Sequence, residues 1–129
     1  MSDIQCVVVT PEKTEIDVLV SSVTVPLFDG EMGILKGHSP LVGRLGYGVL
    51  RMVVDGAPER YFVEGGFVQV ANNVVSVLTD KVVPMSEVTS AIASAALEAA
   101  LSLPAEAPDQ IAARQKACQR ARAMQRCAD

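Results

Sequence analysis

The chain has 129 residues, of which 50% are hydrophobic and 20% are charged, and its formal net charge is −4 at pH 7. This size predicts one domain, or one domain with a small appendage, and the composition allows a real core. The acidic balance argues against nucleic-acid binding as the main function. The charge is uneven, because residues 1–103 carry a net charge of −6 and residues 104–129 carry +2. This change of sign predicts that the C-terminal segment meets a different partner, an acidic one.

The cysteine content and the termini favour a protein without disulfides or a membrane anchor of its own. Cys6, Cys118 and Cys127 match no disulfide or metal-binding spacing, which favours a reducing compartment. The N-terminus has no basic segment before an apolar run, so we expect no secretory signal. Residues 88–103 are apolar but rich in alanine and serine, too short and too weakly hydrophobic to span a bilayer.

Short aliphatic and β-branched runs separated by turn residues fill the first two thirds of the chain. They are residues 4–9, 15–20, 23–27, 41–45, 49–54, 60–63, 67–71 and 74–78. Asp29-Gly30, Asp55-Gly56 and Asn72-Asn73 are hairpin signals. Gly65-Gly66 predicts a bend or a bulge. Because no helical crossover separates the runs, they predict an antiparallel β-sandwich or barrel over residues 1–84 and argue against a parallel sheet.

After Pro84 the pattern changes to a helical period. Ser86 is a candidate N-cap. An apolar stripe recurs at three- and four-residue steps, formed by Val88, Ile92, Ala95, Ala96, Ala99 and Leu103. A proline-rich link follows, and Pro108 suits the first position of a second helix that continues to Cys127. Two helices joined by a short link predict an antiparallel hairpin over residues 85–129.

No set of residues completes an active site. His38 is the only histidine, and it has neither the partners of a catalytic triad nor enough Cys or His neighbours for zinc. Asp29, Glu31 and Asp55 are explained by turn chemistry and exposure. The glycines of residues 28–41 lack the Gly-Lys-Ser/Thr end of a phosphate-binding loop. We therefore expect a shaped contact loop, no catalysis, no metal and no cofactor.

The second helix carries five basic residues: Arg114, Lys116, Arg120, Arg122 and Arg126. Arg114, Arg122 and Arg126 fall on one helical face, with Cys118 between them. Ion pairs at four-residue spacing are absent within the helix, which leaves an unpaired basic face. Such a face is either a solvated surface or a contact surface for an acidic partner, and the residues alone leave both interpretations open.

One segment resembles a known family. Residues 30–35, Gly-Glu-Met-Gly-Ile-Leu, and residues 37–41, Gly-His-Ser-Pro-Leu, closely resemble the G-E-x-G-I-L-x-G-H-x-P-L run of the epsilon subunit of F-type ATP synthases. The resemblance continues through residues 46–51, 62–69 and 73–79, and it includes the layout of a β-sandwich followed by two helices. It is specific over about residues 4–84 and weak afterwards. The alternative class is a stand-alone β-sandwich module that binds a small ligand or peptide.

The resemblance implies a non-catalytic subunit of the central rotor, which docks on the gamma subunit and rests on the ring of membrane c subunits during ATP synthesis by proton transport. The implied ring-facing loop contains Glu31, Met32, Gly33 and His38. In this family the hairpin can rise along gamma and check ATP hydrolysis. The residues implied to approach the catalytic beta subunit, and transiently alpha, are Arg114, Arg120, Arg122 and Arg126. The implied location is the cytoplasmic face of the bacterial inner membrane, where other subunits hold the protein.

The first helix departs from the family pattern at a motif associated with ATP binding. Many bacterial members carry I/L-D-x-x-R-A there, and the aligned residues here run from Val88 to Ala93. Thr89 stands in the position of the aspartate and Ile92 in that of the arginine. Because the cationic fork that pairs with phosphate is missing, the sequence argues against ATP sensing by this hairpin.

Overall fold

The computed structural model describes residues 4–128, so that residues 1–3 of the N-terminal segment and Asp129 lie outside the described residues. The chain divides into two compact units, with the boundary between Val83 and Pro84. Within the described residues the first unit consists of eight β-strands and the second is mainly two α-helices. This architecture confirms the predicted fold class of a β-sandwich followed by a two-helix hairpin.

The strands are β1 (Ile4–Val9), β2 (Thr14–Val20), β3 (Ser22–Leu27), β4 (Gly30–Ile34), β5 (Leu41–Val54), β6 (Ala57–Ala71), β7 (Val74–Leu78) and β8 (Val82–Pro84). Hydrogen bonding joins them in the order β2-β1-β7-β6-β5-β3-β4, with β8 paired to β6. β1 and β7 run parallel, with Gln5 opposite Val74 and Val9 opposite Leu78. The expectation of a purely antiparallel arrangement is wrong at this pair, because the intervening strands, and not a helix, bring the chain back beside β1.

β5 and β6 each replace two of the predicted strands. In a regular strand, residues an odd number of positions apart point to opposite faces. Leu45 and Leu50 of β5 are an odd number of positions apart, yet both face the core, and the same is true of Val63 and Val68 of β6. Each strand therefore changes its facing at its glycine-rich middle, while the pairing register between the two strands stays constant. Gly65-Gly66 thus marks a bend of the two-stranded ribbon without an inserted residue.

The core of the β unit is aliphatic, as the low aromatic content predicts. Inward-facing residues of all the strands from β1 to β7 form one buried cluster, which includes Ile4, Val25, Leu50 and Val77. Cys6 is fully buried in the same cluster. Burial, with a smaller contribution from the charge of Asp17, raises the pKa of its thiol to about 12. Cys6 is therefore a core residue that stays protonated, and not a reactive nucleophile.

The helical unit begins with a single 3-10 turn, Met85–Glu87, followed by α1 (Ser90–Leu101) and α2 (Pro108–Cys127). The N-cap of α1 is Thr89, whose Oγ1 accepts a hydrogen bond from Ile92 N–H at 3.2 Å. The predicted N-cap, Ser86, is wrong because the 3-10 turn occupies its position. Pro108 starts α2 as predicted, since a first-turn residue needs no N–H donor.

The buried side of α1 lies one residue out of phase with the predicted stripe. It consists of Ala93 and Ala100, with Ala96 and Leu97 half-buried. Ile92 of the predicted stripe is exposed instead. Alanine and serine dominate this helix, so hydrophobicity hardly distinguishes its faces. Among residues 4–128, no helix is both long enough and apolar enough to cross a membrane.

Candidate contact surfaces

Three of the four residues predicted for a ring-facing loop lie on a strand. Glu31, Met32 and Gly33 belong to β4, which pairs with β3 so that Glu31 stands opposite Pro26. The prediction of a loop is wrong for these three residues, because the Asp29-Gly30 turn folds the segment back onto β3. β4 is the last strand of the sheet path. Glu31 and Gly33 are exposed there, so these residues remain available for contact.

The carboxylate of Glu31 has a defined partner. Nη1 of Arg51, on β5, lies 3.2 Å from Oε2 of Glu31. Both side chains are about half exposed, so the pair contributes on the order of 0–1 kcal/mol to stability. Its main effect is on orientation, because it holds the Glu31 side chain toward β5 on the outer face of the sheet.

His38 lies in the loop of residues 35–40, which joins β4 to β5. Its backbone N–H donates to Leu35 O at 3.1 Å, which closes a turn. Its ring Nδ1 lies 2.7 Å from Ser39 O, so the Nδ1–H tautomer donates to that carbonyl. This local hydrogen bond is the one expected of a turn histidine. Within the described part of the chain, no group of His, Cys, Asp and Glu is placed to hold a metal ion.

Asn73 connects this loop to the sheet, a contact that sequence reasoning missed. Gly37 N–H donates to Asn73 Oδ1 at 2.7 Å, across 36 positions of sequence. Gln5 N–H donates to the backbone oxygen of Asn73 at 2.9 Å. Asn72 and Asn73 both have positive φ, at 51° and 61°, as a two-residue hairpin turn requires. The β4–β5 loop and the β6–β7 turn therefore share one end of the sandwich.

The outer side of the sheet carries a row of exposed apolar side chains, which we call the apolar face. Its members are Phe28, Val42, Phe67 and Leu78, with 70%, 74%, 58% and 51% of their surface exposed. Phe67 pairs directly with Leu78 on β7, and with Arg44 on the other side. Residues directly opposite each other in a sheet point to the same side, and so do residues two positions apart on one strand, so Leu78, Phe67 and Val42 share one side of the sheet.

The apolar face is shaped as well as exposed. The guanidinium of Arg44 stacks on the Phe28 ring, 4.7 Å from its centroid. Two shallow depressions border the face. One, of about 420 Å³, includes Phe28, Met32 and Val42, and the other, of about 340 Å³, includes Phe67 and Leu78. Sequence reasoning missed this surface because an outward-facing Val, Leu or Phe in a strand resembles a core residue.

All four arginines predicted to approach an acidic partner lie on α2. Arg122 and Arg126 are exposed, whereas Arg114 and Arg120 are half-buried. Nη2 of Arg114 donates to Leu101 O at 3.4 Å, and Lys116 and Arg120 also have interaction partners. The expectation of an unpaired basic face is therefore wrong for part of the helix. Arg114 and Arg122 border a cleft of about 330 Å³ between α1 and α2.

Comparison with known proteins identifies the family. Residues 3–85 match the family described as "ATP synthase, Delta/Epsilon chain, beta-sandwich domain". The chain belongs to this family. The ATP synthase epsilon chain of Rhodopirellula baltica is 48% identical to this family member over 119 residues, which cover 92% of this chain and 93% of that protein. The epsilon chain of Symbiobacterium thermophilum is 47% identical over 81 residues, covering 62% and 58% of the two chains.

The similarity to solved structures extends beyond the matched β-sandwich to nearly the whole chain. A chain of the mitochondrial ATP synthase of Euglena gracilis, solved as OSCP/F1/c-ring in rotational state 1, is similar with a TM-score of 0.79 and 26% identity. The match covers 98% of this chain and 81% of that one. A chain of the Tetrahymena thermophila central stalk/c-ring has a TM-score of 0.72 at 15% identity, which shows similarity of fold alone. The nearly full-length match to an epsilon chain favours this family over a stand-alone binding module.

Proposed function

We propose that this epsilon-family chain is a non-catalytic rotor subunit, which couples a gamma subunit to the c-ring of ATP synthase while proton transport drives ATP synthesis. The apolar face carries the proposal, because its four exposed aromatic and aliphatic side chains offer a contact surface for a partner. The nearly full-length similarity to an epsilon chain supports it, as does the similarity to a chain from a complex that contains F1 and a c-ring.

The apolar face is the surface that we assign to gamma. Proteins that work alone rarely expose contiguous apolar patches of this kind, and such patches mark interaction sites. Phe28, Val42, Phe67 and Leu78 supply the aromatic and aliphatic side chains that dominate the centre of stable interfaces. The depressions beside them accept side chains of a partner, and Arg44, next to both Phe28 and Phe67, adds a cationic group to the face. A permanent rotor contact fits this composition.

The ring contact is assigned to the loop of residues 35–40 together with β4. Glu31, Met32, Gly33 and His38 are the residues proposed to meet the ring of c subunits. Glu31 and His38 make this surface more polar than the apolar face, whose members are all aromatic or aliphatic. Through the ring, the protein is held peripherally at the cytoplasmic face of a bacterial inner membrane.

The α2 helix is assigned a regulatory contact. Arg122 and Arg126 are exposed and have no acidic neighbour four positions away, and Arg114 and Arg120 extend the same helix. Together they suit an acidic segment of the catalytic beta subunit, with transient contact to alpha, where the helix restrains ATP hydrolysis. The charge reversal after residue 103 supports this assignment.

The affinity of two separately engineered variants for gamma tests the assignment of the apolar face. Phe67→Glu places a charge at the centre of the apolar face, and a loss at such a position costs at least about 2 kcal/mol, or about 30-fold in Kd. Leu35→Glu alters an equally exposed apolar residue in the loop. We expect Phe67→Glu to weaken gamma binding and leave the isolated chain folded, and Leu35→Glu to leave gamma binding unchanged.

Circular dichroism of each variant provides the folding control. Gamma affinity that is the same for Phe67→Glu and for the original chain would refute the assignment of the apolar face. Failure of the original chain to bind either gamma or the c-ring, under conditions that assemble the complex, would refute the rotor function itself.

A further inference from the structure

We infer that Asn73 is a positioning residue for the loop of residues 35–40, acting through the hydrogen bond that its side chain accepts from Gly37. The observation is a 2.7 Å contact between Gly37 N and Asn73 Oδ1. This distance is at the short end of the range for an N–H···O hydrogen bond. The two residues belong to different connections of the sandwich, one between β4 and β5 and the other between β6 and β7.

The other hydrogen bonds of the loop are local and set only its internal shape. His38 N–H donates to Leu35 O, and the His38 ring donates to Ser39 O. Neither bond determines where the loop lies relative to the sheet. The bond to Asn73 does, because it joins the loop tip to a turn far away in sequence. Gly37 has a φ of +83°, a conformation that glycine adopts without strain, and this conformation directs its N–H toward Asn73.

Asn73 is itself held firmly, as a positioning residue must be. The turn that contains it connects β6 to β7, whose ladder starts at the pair Ala71 and Val74. Its backbone oxygen accepts the N–H of Gln5, which ties the turn to β1. Asparagine also tolerates the positive φ of this position and has an acceptor on a short side chain. Asn73 therefore transfers the order of three paired strands to an exposed loop.

The functional consequence rests on the proposed contact between this loop and the c-ring. A loop that is already held in one place loses less conformational entropy when it binds a partner. Loss of the Asn73 side chain is therefore expected to weaken ring binding while gamma binding, through the apolar face, is unaffected. The neighbouring residue Asn72 provides a matched control, since it shares the positive φ but is not the acceptor for Gly37.

The experiment compares Asn73→Gly, Asn72→Gly and Asn73→Asp in the full chain. Glycine adopts a positive φ freely, so the turn is retained in both glycine variants, and aspartate keeps the acceptor oxygen. Amide hydrogen exchange at Gly37, followed by NMR, is the first readout. We expect exchange to accelerate by about fivefold in Asn73→Gly, as the net strength of one hydrogen bond predicts, and to stay near the original rate in the other two variants.

Affinity for the c-ring, measured with the chain bound to gamma, is the second readout. We expect it to fall in Asn73→Gly and to be retained in Asn73→Asp and Asn72→Gly. Unchanged exchange at Gly37 in Asn73→Gly, or equal acceleration in Asn72→Gly, would overturn the inference. Accelerated exchange with unchanged ring affinity would instead leave Asn73 as the residue that positions the loop and refute the proposed contact of that loop with the ring.

Discussion

Replacement of Gly66 by alanine tests the bend in the glycine-rich middle of β6, where the strand changes the face that it turns to the core. Gly66 has a φ of +107°. A Cβ at this position would overlap the carbonyl oxygen of Leu78 and would lie 2.8 Å from the carbonyl carbon of Leu78 and 2.9 Å from Thr79 Cα. These are backbone atoms of the neighbouring strand and its continuation, so they cannot move away by a change of rotamer.

The expected cost has two parts. A non-glycine residue held in an unfavourable backbone conformation costs about 1–3 kcal/mol. Relief of the overlap requires β6 and β7 to separate locally, which removes two ladder hydrogen bonds at about 0.5–1.5 kcal/mol each. The total is about 2–6 kcal/mol, which corresponds to a decrease in Tm of at least about 8 °C for a unit of this size. A loss of this size is a large fraction of the whole stability of a small domain.

Two other glycines provide a graded control series. At Gly65, with a φ of +69°, a Cβ would meet nothing within 4 Å, so alanine there adds conformational strain alone, about 1 kcal/mol. At Gly33, a Cβ would also meet nothing and φ is not positive, so alanine is expected to change stability by less than about 0.5 kcal/mol. The predicted order of destabilisation is therefore Gly33→Ala, then Gly65→Ala, then Gly66→Ala.

Urea unfolding of the full chain, followed by tyrosine fluorescence, measures this series. The chain has no tryptophan, and both of its tyrosines, Tyr47 and Tyr61, lie in the β unit, so the signal reports that unit. Circular dichroism follows the helices in parallel. A Gly66→Ala chain that is as stable as the Gly65→Ala chain would refute the close approach of β6 to β7 and the bend that depends on it.

Three further predictions concern the helix start, the core thiol and the basic helix. Thr89→Ala is expected to destabilise α1 by about 1 kcal/mol, because Ile92 N–H loses its acceptor, whereas Ser86→Ala has little effect; circular dichroism at increasing temperature measures both. The stability of the β unit is expected to fall as the pH rises from about 9 to about 12, because the Cys6 thiol ionises near its ordinary pKa when unfolded but only near 12 when folded. Arg122→Gln combined with Arg126→Gln is expected to raise ATP hydrolysis by the assembled complex.

Each of these predictions has a control within the chain. Equal losses for Thr89→Ala and Ser86→Ala would contradict the position of the N-cap. A Cys6→Ala chain is expected to lack the first part of the alkaline decline. An unchanged profile would assign the decline to other groups, such as Tyr61. Burial and a hydrogen bond to Glu59 also raise the pKa of Tyr61 to about 12. Lys13→Gln, in the β unit, controls for charge removal and is expected to leave hydrolysis unchanged.

Local patterns predicted the elements of the fold well, where turn residues and alternation coincide. Ile4–Val9 and Val74–Leu78 have the predicted bounds, because each is a short β-branched run bounded by turns. The pairing of these two strands in parallel was not predictable, since strand partners are chosen by the whole sheet. β5 and β6 each appeared as two strands, because glycines that permit a bend also resemble the glycines that end a strand.

The candidate site was less predictable, for physical reasons that differ between surfaces. The sequence predicts a contact segment around Glu31 and His38 because glycine density and family resemblance coincide there, and this contact stays a prediction. The apolar face was hidden, because Phe67 and Leu78 have the composition of core residues and only the register of the strands shows that they point outward. Asn73 was recognised as a turn residue, but its contact with Gly37 depends on two connections meeting at one end of the sandwich.

ATP-driven proton uptake by membrane vesicles that contain the assembled synthase tests the coupling function most directly. The measurement compares complexes lacking this chain with complexes to which the original chain or the Phe67→Glu chain has been restored. We expect uptake per ATP hydrolysed to be low without the chain, to recover fully with the original chain and to stay low with Phe67→Glu. Uptake per ATP that is equally high with and without the chain would contradict its function as the coupling between gamma and the c-ring.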